Sequence, residues 1–121
     1  MLSYSYMRTK ALVRPEGVVV KRSHHRFGLF ATRPYKRGER VVEYVGRTVS
    51  KEEEYTSRSM YLFEVTKTRT IDGKPSRNPA GYINHSCRPN CEVSLWRGHI
   101  FIKARKNIRS GEEFTYDYGK E

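Results

Sequence analysis

Three observations predict a β-rich domain with little helix. Short runs of β-branched and aromatic residues recur along the chain. Gly, Pro, Asn and Asp punctuate those runs roughly every eight to twelve residues. The best helix candidate, opened by a capping box of Ser50 with Glu53, is short. A chain of 121 residues suits one domain with a single modest core.

Taken in order, residues 1–15 mix Ser, Tyr, Arg and Lys without period and predict an N-terminal arm, leaving 16–121 as the domain. Val18-Val19-Val20 is a β-branched run, with a basic turn expected over 21–26. Residues 27–31 predict a strand stopped by Pro34 and Gly38, and 40–45 another, broken at Gly46. Ser50 with Glu53 makes a capping box, so 51–58 is the one predicted α-helix. Residues 61–66 and 68–72 predict paired strands closed by Asp72-Gly73. Asn78 is expected to cap a single helical turn through Tyr82. Residues 91–96 and 99–105 read as a hairpin across Arg97-Gly98, and 113–116 as a last strand.

Composition narrows the classes of function. Charged residues make up 31% and hydrophobic ones 36%, so the core must be economical. Nine Tyr against five Phe supply rings that pack while presenting a hydroxyl. The net charge is +11, of which residues 1–40 hold +8. A basic N-terminal third suits an anionic neighbour such as nucleic acid, or serves only as a solvated face. Two cysteines, Cys87 and Cys91, make no disulfide framework. No apolar run reaches membrane-span length and no leader pattern opens the chain. A cytoplasmic protein with no membrane contact is expected.

Residues 82–91 read Tyr-Ile-Asn-His-Ser-Cys-Arg-Pro-Asn-Cys. Pro89 bars regular structure, and Asn and Ser offer the backbone local partners. The stretch is a polar, irregular turn with more chemistry than turns require. Thr115-Tyr116-Asp117-Tyr118-Gly119 is the second unusual stretch, and the two are expected to meet in one site. Other chemistries fit less well. No Gly-rich phosphate cradle is present. In an extended segment His85 and Cys87 would lie roughly 6–7 Å apart, too far for proton transfer. His85, Cys87 and Cys91 lack a fourth zinc ligand, so no metal is expected.

Five blocks in order carry a resemblance: 26–31, 43–46, 61–63, 78–89 and 116–119. Together they resemble the SET domain family of protein-lysine methyltransferases, over nearly the whole chain from Val18 to Gly119. The resemblance implies several small antiparallel sheets, short helices and a C-terminal pseudoknot, a threading rare among folds. It implies S-adenosylmethionine as cofactor, with backbone contacts from Arg26, Phe27 and Gly28. The family's first Gly of Gly-x-Gly is Arg26 here. A turn requiring positive φ would be strained by it, since only Gly enters that region cheaply. Asn84 and His85 are implied to hold the methionine and adenine portions, and Tyr82 to pack beneath. His85 alone would read as an ordinary turn histidine. Tyr118 is implied beside the transferred methyl and the target amine. Tyr61 and Tyr116 are implied to line the lysine channel, Tyr61 also facing the cofactor.

The chemistry explains that inventory. A methyl passes in line from a sulfonium to an amine that must be neutral, although free Lys has a pKa of about 10.4. A dry aromatic tunnel and the positive cofactor both favour the neutral amine. Tyr hydroxyls, with a pKa of about 10, suit orientation and weak C–H···O contacts better than proton abstraction. Tyr116 stands where relatives carry Phe or Tyr, and its hydroxyl implies mainly monomethylation. Asp117 and Glu43 are expected to bond backbone at the crossing.

Further expectations concern context. No cysteine cluster precedes Val18 and the chain stops two residues after Gly119, so the resemblance is to a minimal bacterial or viral type without zinc elements. That leaves a homodimer or the bound substrate to close the channel. The implied substrate is a lysine of a histone, histone-like or other basic protein, in host chromatin if the protein is viral or delivered into a host. Either an acidic groove (Glu52–Glu54, Glu64, Glu112, Glu113) or nucleic-acid contact through the basic third must offset the charge of +11. The alternative is a SET-like binding module without transfer activity.

Overall fold

The computed structural model describes residues 16–24, 26–59, 61–74 and 78–120, so the N-terminal arm lies outside the described residues. Four small sheets carry the fold. β1 (Val18–Ser23) and β2 (Arg26–Ala31) form an antiparallel hairpin with Val18 opposite Ala31 and Ser23 opposite Arg26. The expected basic turn over 21–26 is therefore corrected. Its first three residues continue β1 and Arg26 opens β2. The hairpin tolerates the charges because they face out over aromatic rings. The Lys21 ammonium lies 4.8 Å from the Phe30 ring and the Arg22 guanidinium 5.5 Å from that of Phe27.

β3 (Arg40–Tyr44) and β4 (Arg47–Val49) follow, separated at Gly46. β4 escapes sequence reading because three residues, two of them exposed, give no alternation. Its pairing with β6 (Arg69–Asp72) defines it, and β5 (Leu62–Thr66) flanks β6 on the other side. Helix α1 (Lys51–Thr56) has the expected capping box: the Glu53 N–H donates to Ser50 Oγ at 3.1 Å and the Ser50 N–H to Glu53 Oε1 at 3.2 Å. It ends at Thr56 rather than at 58, because it buries no residue that would carry it further.

Pro79–Tyr82 is a 3₁₀ turn, and Asn78 does not cap it with its side chain. Instead Asn78, 1% exposed, accepts from the Val45 N–H at 3.0 Å and donates to Gly73 O at 2.8 Å. The short β7 (Asn84–His85) comes next, then the hairpin β8 (Cys91–Trp96) and β9 (His99–Ala104), with β3 on the far side of β9. β9 alternates cleanly: Ile100, Ile102 and Ala104 are buried, while Phe101 and Lys103 face out. The last strand, β10, is only Thr115–Tyr116, shorter than expected.

β10 pairs with β7 in parallel, Thr115 opposite Asn84 and Tyr116 opposite His85. The other three sheets are antiparallel. Asn90 fastens this crossing. Its amide donates to Glu113 O at 2.8 Å and accepts from the Thr115 N–H at 2.9 Å. A core of Leu29, Tyr35, Ile83, Ile100, Ile102 and Phe114, each at most 2% exposed, lies beneath. Among the described residues no helix is long and apolar enough to cross a membrane.

Candidate active site

Three hollows meet at Tyr118. A narrow channel of about 40 Å³ is lined by Tyr44, Tyr61, Ala80, Ile83, Tyr116 and Tyr118. Beside it a pocket of about 170 Å³ has Arg26, Phe27, Tyr61, Tyr82, Asn84 and Tyr118 in its walls. A cleft of about 440 Å³ adjoins both, with His24, Arg26, Asn84, His85, Glu113 and Tyr118 around it. Arg26 and Asn84 border the pocket and the cleft alike.

After β10 the chain leaves the parallel pair and turns into a short 3₁₀ segment, Tyr118–Lys120, which brings the Tyr118 side chain back toward the start of β7. The Tyr118 hydroxyl donates to Ile83 O at 2.6 Å, and its N–H donates to His85 Nδ1 at 3.1 Å. Its ring centroid lies 4.9 Å from Tyr116 and 5.2 Å from His85. Because Nδ1 accepts that bond, a neutral His85 carries its proton on Nε2. Nε2 is 3.5 Å from Cys87 Sγ, which corrects the expected wide separation. The chain bends here instead of extending, and the Arg88 N–H donates to Ser86 Oγ at 3.0 Å. Cys87 lines none of the three hollows.

The Asn84 amide nitrogen donates to Phe27 O at 3.1 Å and to Glu113 Oε2 at 2.8 Å. Both amide hydrogens are therefore committed within the protein, leaving the carbonyl oxygen on the side of the hollows without a partner among the described residues. Glu113 Oε1 accepts from Ser23 Oγ at 2.7 Å, so one carboxylate ties β1 and β7 to the C-terminal segment. Gly28 makes this possible, since a Cβ there would sit 2.3 Å from Glu113 Oε2. Arg26 lies in β2 and is not among the non-Gly residues with positive φ, which among the described residues are His24 (42°) and Arg97 (50°). The expected strain at Arg26 is thus absent. The hairpin moves the left-handed residue to His24.

The channel wall is pinned from behind. The Tyr44 hydroxyl donates to Tyr61 O at 2.8 Å, and the Gly73 N–H donates to the same carbonyl at 2.9 Å. A Cβ on Gly73 would meet the Tyr44 ring at 2.3 Å, so the close approach needs Gly. Tyr82 meets Phe27 edge-on at 6.3 Å. Asp117 accepts from the Gly119 N–H at 2.9 Å, 3.8 Å from His85 Nδ1. Glu43 instead faces His99 Nδ1 at 2.8 Å on the β3–β9 sheet, away from the crossing where it was expected. Among the described residues no three His, Cys, Asp or Glu side chains are grouped to hold a metal ion.

The family description of the SET domain matches residues 26–119. The chain belongs to the SET domain family. It is similar to histone-lysine N-methyltransferase trithorax of Drosophila virilis, 40% identical over 114 residues, covering 84% of this chain and 3% of that protein. It is 35% identical over 117 residues to histone-lysine N-methyltransferase NSD3 of Mus musculus, covering 86% of this chain and 8% of that one. Among solved structures it resembles a chain of a humanized mutant of the Chaetomium thermophilum Polycomb Repressive Complex 2 bound to the inhibitor GSK126. The TM-score is 0.74 and the identity 29%, over 88% of this chain and 15% of that chain. The chain therefore spans a small part of each relative's length.

Within this SET domain, all the cofactor and channel residues implied by the resemblance except Gly28 border at least one of the three hollows. Gly28 lies behind them, under Glu113. Sequence reading did not foresee the roles of Glu113, Asn90, Tyr44 and Asn78 here, having named Asn78 as a helix cap and Glu113 as part of an acidic groove. Tyr44 stood in a block already singled out, but its role depends on a channel that only the packing of β3 against the 3₁₀ turn creates. Glu113 and Asn90 look like ordinary surface and turn residues. Their importance arises from the crossing, which local patterns do not report.

Proposed function

We propose that this chain is an S-adenosylmethionine-dependent protein-lysine N-methyltransferase, adding mainly one methyl to a lysine of a histone, histone-like or other basic protein. The observation that carries this reading is the meeting of a narrow tyrosine-walled channel with a larger polar cleft at Tyr118. The tyrosine-walled channel would take the lysine stem, and the pocket and cleft offer a mix of rings and polar groups suited to an adenosyl amino acid. Asn84 and His85 would hold the cofactor with Arg26, Phe27 and Tyr82, whereas Gly28 acts through Glu113. S-adenosylmethionine, when bound, supplies an electrophilic methyl on a sulfonium.

The chain's own residues do the rest. Tyr44, Tyr61 and Tyr116 would narrow the channel and leave little room for water around the bound lysine, which favours a neutral amine. Tyr118 commits its proton to Ile83 O and so turns oxygen lone pairs toward the junction, where they accept weak C–H···O contacts and orient the amine. A hydroxyl held this way positions and does not deprotonate.

Radiolabel transfer from S-adenosylmethionine to histones and ribosomal proteins tests the reading. Tyr118→Phe should lower turnover by about 10² or more while calorimetry shows cofactor affinity within a few fold of the parent. Binding without transfer to any protein would instead support a SET-like binding module. The absence of both would end the methyltransferase reading.

A further inference from the structure

Among the described residues, Arg26 is the one Lys or Arg bordering either the pocket or the cleft. Its guanidinium makes no hydrogen bond or ion pair with a described residue, whereas Arg33 and Arg47 are paired with Glu39 and Glu53 at 3.0 Å and 2.8 Å. The nearby carboxylate of Glu113 is already engaged through both oxygens, by Ser23 and by Asn84. Arg26 therefore puts a permanent positive charge on the rim of a polar hollow, with no protein anion assigned to it. A cationic ligand alone would be repelled there; a ligand carrying an anion would be held.

We propose that the Arg26 side chain is the carboxylate-binding group of this cofactor site. This rests on the S-adenosylmethionine reading and extends it. The amino-acid end of that cofactor carries one carboxylate and one ammonium. The fork of a guanidinium matches a carboxylate with two parallel N–H···O bonds. The Asn84 carbonyl oxygen, left over once its amide nitrogen has bonded Phe27 and Glu113, accepts from the ammonium. The two groups border both hollows together, so they read the two ends of one zwitterion. A Gly at this position would contribute backbone alone. Here the side chain makes cofactor affinity depend on the carboxylate, while adding no discrimination between the methylated cofactor and its demethylated product, which both retain that group.

The test is calorimetric titration of the full chain with S-adenosylmethionine, S-adenosylhomocysteine and decarboxylated S-adenosylmethionine. The unmodified protein should bind the first two about tenfold or more tighter than the decarboxylated analogue. Arg26→Ala should lose about tenfold for the two carboxylate ligands and less than about twofold for the analogue. Arg26→Lys, which keeps the charge and loses the fork, should fall between. Circular dichroism confirms folding, which an exposed strand position should not disturb. Equal weakening for all three ligands, or no weakening for any, would overturn the assignment. If the unmodified protein binds none of the three, the cofactor reading itself fails and the Arg26 assignment falls with it. Discrimination by carboxylate should also shrink as salt rises.

Discussion

Tyr116 is 7% exposed and its ring leans on Tyr118 at 4.9 Å, inside a channel of only about 40 Å³. A volume of that order admits few water-sized groups beyond the lysine end, so each methyl already on the amine competes for scarce room. Tyr116→Phe removes one oxygen from this wall and should raise the di- and trimethyl fractions, read by mass spectrometry of a methylated peptide. Predominant trimethylation by the unmodified protein would refute the argument. The two thiols offer a second contrast between residues. Cys87 is exposed and Cys91 is 1% exposed, and burial pushes the Cys91 thiol up from 9.0 to about 12. Only thiolate reacts, so an aromatic disulfide reagent should titrate one thiol per native chain and the second after denaturation. Linkage gives the alkaline consequence. A raised folded value means the unfolded chain loses its proton first, so this stabilisation is complete below about pH 9 and is lost as pH climbs toward 12. Burial raises Tyr35 as well, and acts in the same direction above its ordinary range. Urea unfolding should therefore show stability falling by about 1 kcal/mol per pH unit or more above pH 9; a flat profile to pH 11 would contradict it.

At the scale of elements, the β7–β10 pair is only two residues long on each side, too short to hold itself. Asn90 holds it, and Asn90→Ala would strand the Glu113 carbonyl and the Thr115 N–H. The expected cost is about 2–3 kcal/mol in urea unfolding, with about half recovered by Asn90→Asp, which keeps the acceptor alone. A loss below about 0.5 kcal/mol would show that the crossing is held by something else. This crossing also marks where the sequence stops being legible. Strands β5, β6, β8 and β9 and the capping box of α1 were readable because alternation, turn residues and caps are local. β4 and β7 were not, and β10 was read two residues too long, because three-residue and two-residue strands have no period and exist through their partners. The reach of β1 was misjudged for a related reason. Lys21 and Arg22 look like a turn until the facing Phe27 and Phe30 are known to cover their stems. Candidate residues such as Asn84 and Tyr118 stood out by composition and resemblance, whereas Glu113, which ties them to β1, carries no local mark.

For the whole molecule the tension is between a net charge of +11 and the basic substrate proposed for it. An acidic groove was one remedy, and the packing weakens it. Glu53 is paired with Arg47 at 2.8 Å, Glu54 and Glu64 lie 3.3 Å and 4.0 Å from Lys51, and Glu113 is hydrogen-bonded inward. Neutralised or buried carboxylates attract little. The described part of the basic third, by contrast, leaves Lys21, Arg22, Lys36, Arg37 and Arg40 exposed, and counterion release from nucleic acid makes such contacts steeply salt-dependent. If these residues grip nucleic acid and so bring its bound protein near, methylation of histones on DNA should fall by about tenfold or more between 50 and 200 mM salt. Methylation of a free histone peptide should change by no more than about twofold, or rise slightly as repulsion is screened. Reversing Lys36 and Arg37 to Glu should remove the difference between the two substrates without altering cofactor affinity. Equal salt slopes for both substrates would mean that the basic third serves solubility alone.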